Sequence, residues 1–591
     1  LKTLLSGNEA IARGAYEFGC VFAAAYPGTP STEILENVAK YKEIKSQWSP
    51  NEKVAMEVAI GAAMAGARSL CAMKHVGVNV AADPLMSFAF MEVKGGFVLV
   101  SADDPGMHSS QNEQDNRNYA KFAKIPVLDP SDSAEAKDFV GKAFEISETF
   151  HAPVILRTTT RTSHGKGLVQ LADPMERKVS GFEKNFEKLV VLPMNARKLR
   201  VEAEARLRNL EAFAEETDLN FEEKGEGRVA FITTGIAHVH LKEILPAAPI
   251  LKIGMPYPLP MKKIQDFVSR FDRVIVVEEL DPFVEEQILA AGIDVEGKNL
   301  IPGIWELNPE IIRDVLEKEG IIPEKKRQKT TKADAIPRPP VFCPGCPHLG
   351  IFHALKKAKA QVVTGDIGCY TLAAIPPFNS MDTCVCMGAS IGNAIGIEKA
   401  TGSGIGIAAV IGDSTFTHSG LTGLVDAIMN NSHITIVISD NSITAMTGGQ
   451  PDPRTGWDLH RQPNAKMDFE IVARAMGAEH VYPVDPTDMA QTFDVVKREL
   501  EADHLSVIIS QAPCVLYPKK VKRDKFFTFL NNCTACSMCS RINCQAITRS
   551  SELTEKGRNK WHISEDLCTG CGLCIQMCKF DAIRPISRKG E

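Results

Sequence analysis

Half of the 16 cysteines in this 591-residue chain fall in two tight runs: Cys533, Cys536, Cys539 and Cys544, then Cys568, Cys571, Cys574 and Cys578. Soft thiolates in two sets of four are what two 4Fe-4S cubes require, one sulfur for each corner iron. Such groups move electrons one at a time. A zinc ribbon uses a single set of four ligands, and a disulfide framework requires a secreted chain, so the doubling favours iron and sulfur over both.

The second run, Cys568-x2-Cys571-x2-Cys574-x3-Cys578, resembles the bacterial ferredoxin run, in which the fourth cysteine crosses to the neighbouring cluster. The resemblance implies Cys533, Cys536, Cys539 and Cys578 on one cube, and Cys568, Cys571, Cys574 and Cys544 on the other. There are two departures. Four residues rather than three precede Cys544, which lengthens that ligand loop, and Gln545 and Lys579 stand where a proline usually follows each fourth cysteine.

A second constellation lies upstream. Residues 407–411 are apolar and end in Gly412-Asp413-Ser414. Leu421, Leu424, Val425 and Ile428 then share one helical face, and residues 434–438 are apolar again before Asp440-Asn441. In a right-handed strand-helix-strand unit the two strands run parallel, so Asp413 and Asn441 leave the same edge of the sheet, where open α/β sheets bind ligands. A carboxylate, an amide oxygen and a main-chain carbonyl form a hard oxygen set for Mg2+, which keeps other positions for phosphate oxygens. Gly412, Gly448 and Gly449 permit close backbone approach. The alternative is an ordinary turn after each strand. With Asn441 following Asp413 by 28 residues, the pattern resembles the thiamine diphosphate motif, with Ser414 in place of its second glycine. By that resemblance Asp413, Asn441 and the carbonyl of Ile443 hold the metal. Gly412, Ser414 and the segment Gly388-Ala389-Ser390 frame the cofactor.

The stretches Tyr26-Pro27-Gly28-Thr29-Pro30-Ser31 and Asn51-Glu52-Lys53-Val54-Ala55-Met56-Glu57 look like the pyrimidine-binding domain of 2-oxoacid:ferredoxin oxidoreductases. With residues 108–115, the segment Cys343-Pro344-Gly345-Cys346-Pro347-His348 and the ferredoxin-like tail, the whole chain resembles the large (alpha) subunits of that family's indolepyruvate-oxidising branch. The resemblance makes Glu52 the carboxyl that hydrogen-bonds to the aminopyrimidine ring, with Glu57 as the alternative, and makes Thr29 a contact to the oxoacid. No arginine near residues 101–104 matches the one related pyruvate enzymes use for the substrate carboxylate. His75, His108 and Arg161 are candidates for the substrate end, each of which also reads as a structural or surface residue. Cys343, Cys346, Cys369 and Cys514 occur in the order that related beta subunits use for a third 4Fe-4S cluster beside the thiamine; the alternative is a set of buried, inert thiols. Cys20, Cys71, Cys384 and Cys386 read as core thiols.

The implied activity is thiamine-diphosphate-dependent oxidative decarboxylation of arylpyruvates such as indolepyruvate and phenylpyruvate. Coenzyme A would take the arylacetyl group and an external ferredoxin the electrons, with a separate smaller beta subunit completing an α2β2 assembly. Two other readings stand beside it: oxidation of another 2-oxoacid, branched-chain or pyruvate, and an electron-transfer subunit whose thiamine site has decayed, with Ser414 as the symptom.

These residues must be held by several domains, since about 150 residues make one. The expected fold class is multidomain α/β, a thiamine-diphosphate-binding fold of parallel sheets flanked by helices, with a two-cluster ferredoxin-like α+β domain at the end. The expected divisions are a pyrimidine-binding domain at 1–180, a charged helical linker at 181–226 and a transketolase C-terminal-like α/β domain at 227–322. A linker at 323–340, a diphosphate and Mg2+ domain at 341–523 and the ferredoxin-like domain at 524–591 follow. Helix is expected over 8–18 with Gly19 ending it, and strands at 20–26, 97–100, 153–156, 229–232 and 273–277. The doubled cysteine run is the one internal repeat legible in the sequence. A net charge of −6 implies neither nucleic acid nor an anionic membrane as partner. The absence of a long apolar run and of a signal-like N-terminus points to a reducing cytoplasm, and the first residue, Leu1, implies that an initiator Met is missing.

Overall fold

The structure is a computed structural model that describes every residue except Val93, 325–335, Pro337, 518–522 and 589–591. The linker expected at 323–340 therefore lies largely outside the described residues. The chain divides into two units, Leu1–Thr331 and Lys332–Glu591.

In the first unit, six parallel strands lie in the order Lys45–Trp48, Phe22–Ala25, Ser69–Lys74, Phe97–Asp103, Val154–Thr159, Val127–Leu128. Numbered along the chain, that order is 2-1-3-4-6-5. Every residue of Phe97–Asp103 and Val154–Thr159 is buried, as expected of parallel strands covered by helices on both faces. Helix Gly7–Glu17 begins with a reciprocal cap between Ser6 and Glu9. Gly19, at φ +66°, turns the chain into the first strand.

The charged segment is more than a linker. Helix Pro193–Glu216 buries Leu199, Leu207, Leu210 and Ala214. After it, Asn220–Glu223 pairs antiparallel with Ile250–Ile253, as the edge of a four-stranded sheet completed by the parallel strands Val229–Thr234 and Arg273–Val277. The second α/β domain thus takes its edge strand from residues that composition alone assigned to the linker.

The second unit repeats the arrangement. Its parallel strands run Thr383–Cys384, Val362–Gly365, Ile407–Gly412, Thr435–Asp440, Ser506–Gln511, His480–Val484, which is again 2-1-3-4-6-5. Helix Leu421–Met429 buries Leu424 and Ala427, whereas Val425 is 40% exposed. Leu421 and Ile428 pack against the same core, so of the four residues expected on the inner face only Val425 turns outward. Cys20 and Cys71 are buried as expected, but Cys384 and Cys386 are exposed, because Cys384 ends and Cys386 follows the two-residue strand at the edge of this sheet. The tail forms two antiparallel pairs, Phe526–Thr528 with Ile583–Pro585 and Ile547–Leu553 with Asn559–Ile563. They enclose a small core of Ala546, Ile563 and Ile583 among the cysteines. Among the described residues no helix is long and apolar enough to cross a membrane.

Candidate metal, diphosphate and cysteine sites

Each six-stranded sheet changes direction between its first and third strands, the place where open α/β sheets bind ligands. In the second unit that gap separates Val362–Gly365 from Ile407–Gly412, and Asp366 and Asp413 follow the two strands directly. Asp413 accepts from the Ser414 amide at 2.8 Å and from the Asn441 amide at 3.1 Å, while Asn441 Oδ1 accepts from the Ile443 amide at 3.2 Å. The three expected metal ligands are therefore gathered in one place.

The charge there is one-sided. Burial pushes the Asp413 carboxyl well above the usual range, and Asp452 and Asp440 push it further. Arg454 neutralises Asp440 through bonds of 2.8 and 2.7 Å, but among the described residues no cation pairs with Asp413. Asp452, which burial raises to about 6, leaves one buried oxygen without a partner. A buried carboxylate beside an orphaned carboxylate oxygen fits a divalent cation, because a charge out of water requires a counter-charge.

His348 orients the site. It is fully buried and burial lowers its pKa to about 4, so its ring is neutral. Its Nε2 accepts from Asn441 Nδ2 at 3.2 Å, which leaves Nδ1–H to donate to Ser439 Oγ at 2.6 Å. With Asn441 Nδ2 held this way, its oxygen is the end left for a metal, an outer-shell arrangement typical of metal sites. Ser414 sits quietly, its hydroxyl accepting from Thr444 at 2.9 Å.

Gly388 has φ +89°, and a Cβ there would lie 2.4 Å from Ser419 Cβ, so the turn into helix Ala389–Thr401 requires glycine. The amides of Gly388, Ala389 and Ser390 converge on Asp366, whose carboxyl burial raises to about 6. These residues thus meet an anion of their own chain at the helix start, where the dipole favours one. Neither Asp366, Asp452 nor His348 was singled out from the sequence. Asp366 and His348 lie within the segments Gly365-Asp366-Ile367-Gly368-Cys369 and Cys343–His348, the only signal that could have found them.

The first unit holds a set of its own. Glu52 opens helix Glu52–Met64, capped by Asn51, and is 5% exposed. Its carboxylate lies against Gly77, where an added Cβ would stand 2.7 Å from Oε1. Glu57, the alternative, pairs with Lys53 on the exposed face of the same helix, which removes it from the buried site. Thr29 follows strand Phe22–Ala25, and its carbonyl accepts from Ser109 Oγ at 3.2 Å. His75 is fully buried, its Nε2 facing Asn112 at 3.1 Å and its Nδ1 without a partner; burial holds its pKa down. His108 and Arg161 do not join this group: both reach Glu306, His108 at 3.5 Å and Arg161 at 2.7 Å.

Sequence reasoning missed Lys74. It ends strand Ser69–Lys74, its stem packs over Gly28, and Nζ donates to the Ser109 carbonyl at 2.9 Å. Burial pushes its ammonium down to about 8, opposed by Asp104 and Glu52. No described carboxylate pairs with it, and Asp104 is held instead by Ser109, Ser110 and Thr160.

The cysteines fall into three groups. Burial raises the Cys539 thiol to about 11, with Cys533, Cys536 and Cys578 as its neighbours, and these four line one cavity. Around Cys574, likewise pushed up by burial, stand Cys571, Cys544 and Cys568. Cys539 of the first group is also a neighbour of Cys574, so the two sets adjoin. The extra residue before Cys544 is absorbed by Asn543, at φ +58°, after the turn Cys539–Ile542. In the third group, Cys346 feels Cys369, Cys514 and Cys343, and Cys369, raised mainly by burial to about 11, also feels Asp413. Among the described residues no three His, Cys, Asp or Glu side chains close tightly enough for a single metal ion.

Comparison with known proteins agrees with this layout. Residues 13–228 match the family described as "Pyruvate flavodoxin/ferredoxin oxidoreductase, thiamine diP-bdg", residues 366–510 the "Thiamine pyrophosphate enzyme, C-terminal TPP binding domain", and residues 561–584 the "4Fe-4S binding domain". The chain is similar to "Indolepyruvate oxidoreductase subunit IorA" of Archaeoglobus fulgidus, 41% identical over 99% of this chain and 97% of that protein. It is equally similar to the protein of that name from Pyrococcus horikoshii, 41% identical over 100% and 98%. "Ketoisovalerate oxidoreductase subunit VorB" of Methanothermobacter thermautotrophicus is 25% identical over 53% of this chain and 96% of its own length. With identity of this level over its whole length, the chain belongs to the 2-oxoacid:ferredoxin oxidoreductases, a family of thiamine-diphosphate enzymes, in the branch of the indolepyruvate oxidoreductase large subunits.

Proposed function

We propose that this chain is the large subunit of a two-subunit enzyme that oxidatively decarboxylates arylpyruvates, indolepyruvate foremost, forming arylacetyl-CoA and reducing ferredoxin. The observation that carries the reading is the contact between the metal set and the inner cysteines: the Cys514 amide donates to the Asn441 carbonyl at 3.0 Å, and Cys369 lies within the field of Asp413. A site for carbon chemistry thus adjoins a set of thiols suited to a one-electron acceptor. The aryl preference rests on the relatives named indolepyruvate oxidoreductase.

Thiamine diphosphate, when bound, supplies a carbanion that adds to the keto carbon and accepts the electron pair left when carbon dioxide departs. Asp413, Asn441 and the Ile443 carbonyl would hold its Mg2+, with Asp452 close by. Glu52, buried against Gly77, would hold a proton at the aminopyrimidine edge. Lys74, the unpaired cation beside Thr29, takes the role of the missing arginine and binds the substrate carboxylate. Cys343, Cys346, Cys369 and Cys514 would hold a third cluster. From there the path leads outward, since the Gly345 amide hydrogen-bonds to Cys544 and a Cβ on Gly345 would lie 1.9 Å from Thr569 Oγ1. The cluster of Cys544, Cys568, Cys571 and Cys574 is therefore the second station, and that of Cys533, Cys536, Cys539 and Cys578 the last.

Turnover of indolepyruvate, phenylpyruvate, 2-oxoisovalerate and pyruvate by the complex with its smaller subunit tests the reading. A higher kcat/KM for the two aryl substrates is expected; a preference for pyruvate or 2-oxoisovalerate overturns the aryl assignment.

A further inference from the structure

The outermost cluster site has a cationic recess beside it. A cavity of about 710 Å3 lies between the tail and the thiamine-binding domain, with Lys356, Lys357, Arg541 and Lys579 in its walls and no aspartate or glutamate among its lining residues. None of these four cations pairs with a described carboxylate. Lys356 donates to the neutral carbonyls of Pro377 and Phe378, and Lys357 lies over the Phe493 ring at 3.8 Å. His353 registers the excess: burial lowers its pKa first, and Lys357, Arg541 and Lys356 lower it further.

Position matters as much as charge. Met577 is a wall of both this recess and the chamber formed by Cys533, Cys536, Cys539 and Cys578. Lys579 directly follows Cys578, and Arg541 lies two residues beyond Cys539. Phe580, which lines the same chamber, is 45% exposed and offers an apolar contact at the rim. Anything seated in the recess stands one side chain from the last electron station. That proximity is of use to an electron acceptor and of none to a molecule that takes no electrons.

We propose that this recess is where an acidic electron-carrier protein docks to collect electrons from the cluster of Cys533, Cys536, Cys539 and Cys578. The proposal rests on the electron order given above. Opposed charge would steer the carrier in and let it leave again, as suits the small, transient interfaces of redox partners.

The test uses the holoenzyme with its smaller subunit and a purified acidic ferredoxin. Binding is measured by calorimetry across a salt series, beside reduction of the ferredoxin and of a viologen dye. Arg541→Glu with Lys579→Glu should weaken ferredoxin binding about tenfold or more and flatten its salt dependence, leaving viologen reduction and iron content unchanged. The milder pair Arg541→Gln and Lys579→Gln should give a smaller loss in the same direction, which guards against misfolding. Lys45→Glu, an exposed reversal in the first unit, should change nothing. Unaltered affinity and salt slope in the double reversal overturn the proposal. Tight binding of inorganic pyrophosphate that the reversal abolishes, with ferredoxin binding intact, overturns it in favour of a small-anion site. A wild-type complex that reduces viologen but binds no ferredoxin overturns the docking alone; one that reduces neither overturns the functional reading with it.

Discussion

Asp413 and Lys74 are both charges the chain leaves uncompensated, one awaiting a cation and the other an anion. For Asp413 this separates stability from function. Asp413→Asn removes a carboxylate that burial and two acidic neighbours disfavour, so the metal-free variant should melt higher than the metal-free parent while losing Mg2+-dependent thiamine diphosphate binding by calorimetry. Retained binding would remove Asp413 from the metal set. Lys74→Ala should lower kcat/KM for the oxoacid roughly 10- to 150-fold, the worth of one hydrogen bond to a charged group, mainly through KM. Because its ammonium is held down to about 8, the charged form is lost as pH rises through that value. The wild-type kcat/KM should fall above pH 8, and Lys74→Arg should carry activity to higher pH, since guanidinium does not deprotonate there. A profile identical in wild type and Lys74→Arg counts against the assignment. Asp413 and Asn441 were legible because a fixed spacing across one strand-helix-strand unit betrays them. Lys74, Asp452 and His348 were not, since what marks each is a neighbour far away in sequence: Ser109 for Lys74, Asp413 for Asp452 and Asn441 for His348.

Local pattern foretold the buried strands and the helix end at Gly19, because burial on both faces and a glycine after a helix are written in adjacent residues. It failed where one element depends on another. The edge strand Asn220–Glu223 carries two glutamates and looks like linker until Ile250–Ile253 is there to pair with it. The join between the two α/β domains of the first unit was equally hidden. Arg117, with no exposed surface, bonds Asp115 beside it and Glu278 in the neighbouring domain at 2.7 Å, and donates to the Glu279 carbonyl at 2.9 Å. Breaking such a buried network leaves unpaired carboxylates behind, so Arg117→Met should cost about 3–5 kcal/mol, measured by denaturant unfolding. A loss below about 1 kcal/mol would mean that water compensates Asp115 and Glu278. In the tail, the added residue before Cys544 suggested a looser loop, yet Asn543 takes it up in a left-handed turn and Cys544 keeps its place.

Two sheets of identical strand order, 2-1-3-4-6-5, each carry a candidate set of residues at their switch point: Glu52, Thr29 and Lys74 in one unit, Asp413 and Asn441 in the other. This duplication is invisible in the sequence because topology is conserved by backbone packing, which many side-chain sets satisfy, whereas the cysteine repeat shows plainly because iron dictates its ligands. The cysteine arithmetic gives a test that spans the chain. Three cubes of four irons predict about twelve irons per chain, eight of them in the tail. Deleting the tail is a poor test, since Ile542 and Leu573 share a buried cluster with Leu349 and Phe352, and removal would uncover that core. Point variants avoid this. Cys346→Ser should lower the iron to about eight, leave the paramagnetic signals of the two tail cubes after reduction, and stop substrate from reducing them, while dithionite still does. Cys536→Ser should spare substrate decarboxylation and reduction of the first two stations yet slow electron delivery to ferredoxin, because it cripples only the last. If Cys346→Ser holds as much iron as wild type, the inner four thiols are structural, and electrons must leave the thiamine site by another route.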